Sequence, residues 1–195
     1  MFMRISLRTA SSVAAPGRRD VRVASPHNGS HPHNPELHDP KRNFIISQGP
    51  QETRVLIKGK CHCENMAFAL DWEGDPPEIP ARACDCSFCI AHGGVWASNP
   101  RSTLVVTIRD PALVSKYAFG TRTATFHVCS RCGTVPLVTS EIANHVYAVV
   151  NVNALVNVEE SWLRRAASQF DGESIESRLA RRQRNWIASV RFACA

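Results

Sequence analysis

Short runs of alternating apolar and polar residues fill most of the chain after residue 53. Residues 66–72, for example, place a large apolar side chain at every second position, and Gly74-Asp75-Pro76-Pro77 then ends the run. Alternation of this kind puts one face of a strand on a core, and Gly and Pro clusters separate strands. The runs that we predict as strands are residues 53–58, 66–72, 94–98, 104–108, 113–119, 123–128, 134–138 and 145–152.

Many short strands with tight connections predict a mainly β fold. We expect an antiparallel domain built as a sandwich or an open barrel-like arrangement. The tail differs, because apolar residues recur there at helical spacing and Ser174 stands where an N-cap is needed. One C-terminal helix is therefore expected, with these apolar positions: Ile175, Leu179, Trp186, Ile187 and Val190.

Residues 1–50 show neither pattern. Residues 1–25 contain Arg and Ser and almost no acid, which faintly resembles an organelle transit peptide, and residues 26–35 are rich in Pro, Asn and His. A disordered leader or an overlong start explains this composition better than a targeting peptide. We predict a disordered linker-like extension over residues 1–50 and one domain over residues 53–190.

Composition limits the classes of function. With 195 residues and 44% hydrophobic content, the chain is long enough for one soluble domain with extensions, and no apolar run long enough to span a membrane occurs. The formal charge is +6, but residues 1–43 and 161–195 each carry seven basic against three acidic residues. Because the basic residues lie at the two ends, nucleic acid is not the favoured partner.

Seven of the eight cysteines fall into three tight clusters. An even number of cysteines permits a disulfide framework, but no secretory signal is evident, and neighbouring thiols converge more readily on a metal ion. We therefore expect a reducing, cytoplasmic location and metal-bound thiolates. The clusters are Cys61-His62-Cys63, Cys84-Asp85-Cys86-Ser87-Phe88-Cys89 and Cys129-Ser130-Arg131-Cys132.

The first and last clusters predict a structural zinc site. Structural zinc is commonly held by two short cysteine pairs from distant parts of a chain. Such a site contributes on the order of 10 kcal/mol to the folding of a small domain. The predicted ligands are Cys61, Cys63, Cys129 and Cys132.

The middle cluster leaves Cys84, Cys86 and Cys89 for a second zinc ion. Three protein ligands and an open position are typical of catalytic zinc. Three alternatives stay open for the fourth position: a bound water or exogenous thiol, His92, which would close the site and make it structural, or Asp85.

Four arginines lie off the apolar face of the predicted helix. The simplest interpretation is a solvated helix face, and the alternative is a basic flank beside an anionic substrate. These arginines are Arg178, Arg181, Arg182 and Arg184.

With the three clusters in this order, the chain resembles the glutathione-dependent formaldehyde-activating enzyme family, which also includes centromere protein V. The matching stretches are residues 59–63, 84–89 and 128–133, and Phe170-Asp171-Gly172 is also similar to a segment of its bacterial members. The resemblance covers roughly residues 53–190. It implies a β-tent-like fold with two zinc ions, one structural and one catalytic, the latter held by Cys84, Cys86 and Cys89.

The activity that the resemblance implies is that of a carbon–sulfur lyase. It condenses formaldehyde with glutathione to S-hydroxymethylglutathione, or reverses that reaction. Asp85 departs from the family pattern, which usually has a histidine there, and adds negative charge beside the predicted catalytic zinc. A different class remains as the alternative: a non-catalytic, zinc-stabilised module that binds nucleic acid or a protein.

Overall fold

Eleven strands in two sheets and two α-helices make up residues 53–75 and 77–194, which the computed structural model describes. The strands in chain order are β1 (Arg54–Lys60), β2 (Met66–Glu73), β3 (Ile79–Cys84), β4 (Val95–Ala97), β5 (Thr103–Ile108), β6 (Val114–Tyr117), β7 (Thr125–Cys129), β8 (Leu137–Ile142), β9 (His145–Asn151), β10 (Leu163–Ser168) and β11 (Ser189–Cys194). The helices are α1 (Ser87–His92) and α2 (Ile175–Asn185). The extension predicted for residues 1–50 lies outside the described residues.

The smaller sheet has the order β1-β2-β5-β11, and the larger one has the order β10-β3-β4-β9-β8-β7-β6. Most neighbouring strands are antiparallel, and the exceptions are β11 beside β5 and β10 beside β3. Both parallel strands lie at sheet edges and come from the last third of the chain. The mainly β fold is confirmed, with two parallel edge pairings added to the predicted antiparallel arrangement.

The main hydrophobic core takes residues from both sheets. Strand β2 alternates between buried and half-buried positions along its whole length, as its sequence pattern predicts. Gly59 in β1 lies against the ring of Phe68, where a Cβ atom would come within 2.1 Å of the ring. The largest side chains fully buried in this core include Ile57, Leu70, Trp72, Ile79, Leu104, Leu137 and Ile187.

A second cluster of buried residues lies beside α1 and places that helix against the larger sheet. It joins Cys89 of α1 to residues of β4, β7, β8 and β9 and to the residue after α2. Its buried members are Cys89, Trp96, Phe126, Val135, Val138, Val149 and Trp186. The middle cysteine cluster is therefore packed against an aromatic region.

Several element boundaries differ from those predicted. The run at residues 134–138 is a strand only from Leu137, where β8 begins. The tail helix starts after its Ser174 cap as predicted, but it ends at Asn185, because Trp186 is extended and Ile187 forms a β-bridge with Ala148. Val190 belongs to β11 and not to the helix. Among the described residues, no helix is both long and apolar enough to cross a membrane.

Three strands and one helix had no predicted counterpart. Proline interrupts the alternation in β3, and two adjacent arginines give β10 a largely exposed pattern. Helix α1 is only six residues long, too short for the Phe88 and Cys89 side chains to recur at helical spacing. Each of these elements is short or exposed, so its sequence lacks a clear period.

Candidate metal centres and cavity

Four cysteines from two distant parts of the chain come together in one group. Cys61 and Cys63 follow β1, Cys129 ends β7, and Cys132 lies in the turn after β7. Their sulfur atoms all lie within 4.8 Å of one another. The Sγ atoms of Cys61 and Cys63 are 3.7 Å apart, and those of Cys63 and Cys129 are 3.4 Å apart. The structure thus brings together the four residues that the sequence pairs.

Tight turns shape both halves of this group. Glu64 and Gly133, which follow the two cysteine pairs, have φ angles of 61° and 72° in the left-handed region. The Gly133 N–H donates to the Cys129 carbonyl at 2.8 Å, and the Met66 N–H donates to the Cys61 sulfur at 3.3 Å. In this conformation the Glu64 carboxylate forms ion pairs with Lys60 and Arg109. The turns point the thiols inwards and supply an N–H donor to one sulfur.

The donor set of this group fits zinc. Four thiolates around one zinc ion at about 2.3 Å are about 3.8 Å apart, close to the separations observed. Burial raises the pKa of the Cys61 thiol to about 12. Although burial acts the same way on Cys132, its hydrogen bonds with Thr134 and a backbone N–H lower its pKa to about 5. Bound metal is the usual way to hold four such thiols as thiolates.

The other three clustered cysteines form a second group at the start of α1. Cys84 is the last residue of β3, Cys86 is the N-cap of α1, and Cys89 lies within that helix. Their sulfur atoms also lie within 4.8 Å of one another. The bend from strand to helix at Cys86, with φ −64° and ψ 150°, is what gathers three thiols from six consecutive residues.

Cys89 is the most tightly held thiol of this second group. It is 2% exposed, and the indole N–H of Trp96 donates to its sulfur at 3.3 Å. A Cβ atom at Gly94 would lie only 2.9 Å from that sulfur, so glycine is needed there for the close approach. A hydrogen bond with Cys84 and burial raise the pKa of Cys89, and the same hydrogen bond lowers the pKa of Cys84 to about 6.

Neither His92 nor Asp85 is a member of this group. Among the described residues the group holds three cysteines and no histidine or carboxylate. The Nδ1 atom of His92 lies 3.1 Å from the Phe88 carbonyl oxygen, and the imidazole stacks on the Phe88 ring with centroids 4.2 Å apart. Asp85 is exposed and lies in the wall of the adjoining cavity. The three thiols therefore fit zinc with one position free of protein side chains.

The three-cysteine group opens into a cavity of about 320 Å³. One part of its wall is aromatic and aliphatic, and another part is basic. The apolar wall includes Trp96, Phe119, Phe126, Val138, Phe170 and Trp186. Its shape and size suit a small molecule with both apolar and charged parts.

The basic part of the wall comes mainly from α2. Arg178, Arg181 and Arg182 line the cavity, and Arg82 of β3 joins them. The solvated face proposed for the tail arginines is therefore wrong for these three and holds for the exposed Arg184. The sequence did not single out Arg82, Trp96 or Phe119, because each stands alone in a strand or turn without a motif around it.

The chain is similar to known proteins over most of the described region. A family model described as "Glutathione-dependent formaldehyde-activating enzyme" matches residues 56–170. A crystal structure of a Rhodobacter sphaeroides protein is 28% identical, with a TM-score of 0.40, and the match covers 53% of this chain and 92% of that one. A comparison with curated proteins gave no match. The cysteine clusters and the family match, which spans more than half of the sequence, together show that the chain belongs to the glutathione-dependent formaldehyde-activating enzyme family.

Proposed function

We propose that this chain is a zinc-dependent enzyme that makes or breaks the carbon–sulfur bond of a glutathione–formaldehyde adduct, S-hydroxymethylglutathione. The observation that carries the proposal is the three-cysteine group, which opens into a cavity and includes no fourth side-chain donor among the described residues. Membership of the family supports the same substrates. The domain responsible would span residues 53–190.

The two cysteine groups would have different tasks. Cys61, Cys63, Cys129 and Cys132 offer four ligands and would hold a structural zinc ion. Cys84, Cys86 and Cys89 offer three and would hold the catalytic one. When bound there, zinc would supply the positive charge that favours the thiolate form of a substrate thiol.

The chain's own residues would fix the geometry of the reaction. The indole N–H of Trp96 donates a hydrogen bond to the Cys89 sulfur, and Gly94 leaves room for that sulfur to pack closely. Together these two contacts would fix the position of the sulfur. The aromatic wall would cover the methylene groups of the substrate and exclude water from the reacting atoms. Holding thiol and aldehyde together accounts for part of the rate increase in such additions.

The bond changes are simple and involve no oxidation. The sulfur lone pair forms the new bond to the formaldehyde carbon, the carbonyl π electrons move to oxygen, and a proton equivalent to that lost by the thiol is taken up there. Thr121 and Ser168 carry hydroxyl groups and line the cavity. The Ser168 hydroxyl donates to the Ala83 carbonyl at 3.2 Å, whereas the Thr121 hydroxyl shares a hydrogen bond with the Thr123 hydroxyl at 2.9 Å and would be the candidate donor to the new alkoxide. A hydroxyl donor is suited to stabilise that charge.

The test is zinc content, stability and turnover in a Cys86→Ser variant. We expect the variant to lose about one zinc ion per chain, keep its fold by circular dichroism and thermal unfolding, and consume formaldehyde with glutathione no faster than the uncatalysed background. The wild-type chain and a Ser87→Ala control, which changes the exposed neighbouring residue, should both exceed that background.

Two results would contradict the proposal. One is a Cys86→Ser variant that unfolds globally, which would make the three-cysteine group structural. The other is a zinc-loaded wild-type chain that does not accelerate the reaction in either direction.

A further inference from the structure

A buried arginine in the cavity wall has an unused hydrogen-bond donor. Arg182 is 7% exposed and sits near the end of α2. Its Nη1 donates to the carbonyl and hydroxyl oxygens of Thr123, at 2.7 and 2.9 Å, and to the hydroxyl of Ser140 at 3.2 Å. Its Nε is buried and has no hydrogen-bond partner among the described residues. All of its hydrogen-bond partners are neutral, and the Glu173 carboxylate acts on its charge only from beyond ion-pair distance.

Among the described residues, one carboxylate forms ion pairs with two other arginines of the wall. Arg181 is neutralised by a bidentate pair with Glu173, with both N–O distances 2.9 Å. Arg178 has its Nε 3.8 Å from that same carboxylate, outside hydrogen-bond range, and also unpartnered. Arg82 donates to the neutral hydroxyl of Ser98 at 2.6 Å. Glu173 thus pairs with two arginines of the quartet, and in the described part of the chain Arg82 and Arg182 have no carboxylate within 4 Å.

Asp85 and Asp171 also line the cavity, but among the described residues neither forms an ion pair with these arginines, so the two guanidinium groups lack a direct anionic partner. Burial, and then repulsion by Arg178 and Arg181, lower the pKa of Arg182 to about 10. Burial and repulsion by Arg181 also lower the pKa of Arg82. A buried guanidinium without a counterion costs free energy, and a carboxylate is the anion that its planar donors match. These cations share one cavity with the three-cysteine group.

We propose that Arg182, with Arg178 and Arg82, forms a carboxylate-binding subsite that selects thiol substrates bearing a carboxylate group. The inference deepens the proposed function and rests on it for the identity of the thiol. A carboxylate held there leaves the rest of the molecule within the cavity, where its sulfur can reach the cysteine group. Thiols without a carboxylate lack this contact and are poor ligands.

The probe is S-methylglutathione, whose sulfur carries no proton to lose, compared with its dimethyl ester. We expect the zinc-loaded wild-type chain to bind the acid at least tenfold more tightly than the ester in isothermal titration calorimetry. Arg182→Gln and Arg178→Gln should each weaken binding of the acid roughly tenfold and leave binding of the ester unchanged. Arg184→Gln removes the same charge from the exposed face of α2 and should behave as wild type.

Several outcomes would overturn the inference. They are equal binding of acid and ester, binding of neither probe, equal weakening of both by Arg182→Gln, and loss of zinc from that variant, which would show that the arginine only balances the charge of the metal site. If Arg182→Gln does not fold, Arg182→Lys and the half-buried Arg178→Gln give the same comparison.

Failure of the inference and failure of the proposed function give different results. Turnover of formaldehyde with glutathione, combined with equal binding of acid and ester, would retain the function and remove the subsite. Discrimination between acid and ester without any turnover would retain the subsite and remove the proposed function.

Discussion

Asp85 adds a negative charge beside the three-cysteine group. It stands between Cys84 and Cys86, lines the cavity, and raises the pKa of Cys84 by its negative charge, against the hydrogen bond that lowers it. The carboxylate is not one of the gathered donors. Its effect on a bound thiolate would therefore be repulsion through space.

Removing this charge should strengthen substrate binding. For Asp85→Asn we expect the KM for glutathione to fall by up to about fivefold, since repulsion between partly solvated charges a few ångströms apart is worth about 1 kcal/mol. Steady-state kinetics at constant ionic strength measures the change.

Asp75→Asn is the matched control, because it removes the same exposed charge at a position outside the cavity wall. An Asp85→Asn variant with an unchanged or higher KM would show that the carboxylate does not repel the substrate. Loss of zinc from that variant would instead make Asp85 a metal ligand.

Sequence alone predicts the cysteine residues well and the arginines poorly. Thiols two or three positions apart are typical of metal sites, so spacing alone predicted the two groups that the structure brings together. The side of α2 that faces a cavity depends on how the helix packs, and Arg182 and Arg184 differ by only two positions. Arg182 is buried because Thr123, just before β7, and Ser140 of β8 pack around it and accept its hydrogen bonds. The local sequence does not predict these distant contacts.

At the scale of elements, α2 decides where the basic wall lies. Ser174 caps the helix by accepting a hydrogen bond from the Ser177 N–H at 3.1 Å. Glu173, one residue earlier, holds Arg181 from the preceding turn. The start of α2 therefore fixes both the first turn of the helix and one of the arginines of the cavity.

Loss of the cap should loosen α2 without unfolding the domain. We expect Ser174→Ala to lower the free energy of unfolding by about 1 kcal/mol and to weaken binding of S-methylglutathione modestly. Chemical denaturation and calorimetry measure the two effects. Gln183→Ala, at an exposed position of the same helix, should change neither, and an equal loss of stability in both variants would mean that the cap contributes nothing specific.

The elements that sequence predicts are those with a complete period. Strands β2 and β9 lie within one residue of their predicted bounds, and the start of α2 was marked by its cap. Strands β10 and β11 were missed because their parallel neighbours, β3 and β5, are far away in sequence. Edge strands need little apolar alternation, so pairing with a distant strand is the information that the local pattern lacks.

At the scale of the molecule, the two cysteine groups are built in opposite ways. The four-cysteine group joins the end of β1, in the smaller sheet, to the end of β7, in the larger one. The three-cysteine group takes all its members from residues 84–89. A cross-link between distant segments stabilises a fold far more than one within a single turn. This difference supports the proposal that the four-cysteine group is structural and the three-cysteine group is catalytic.

The most direct test of that division is the ligand set of each metal ion with and without substrate. Cadmium accepts the same thiolates as zinc, and ¹¹³Cd NMR gives a separate signal for each site. We expect two signals in the substituted protein. Addition of glutathione should move one of them towards the position typical of four sulfur ligands and leave the other, already there, unchanged. S-methylglutathione should move neither by a comparable amount. Two signals that both indicate four sulfurs from the start, or that both ignore glutathione, would contradict an open catalytic site at Cys84, Cys86 and Cys89.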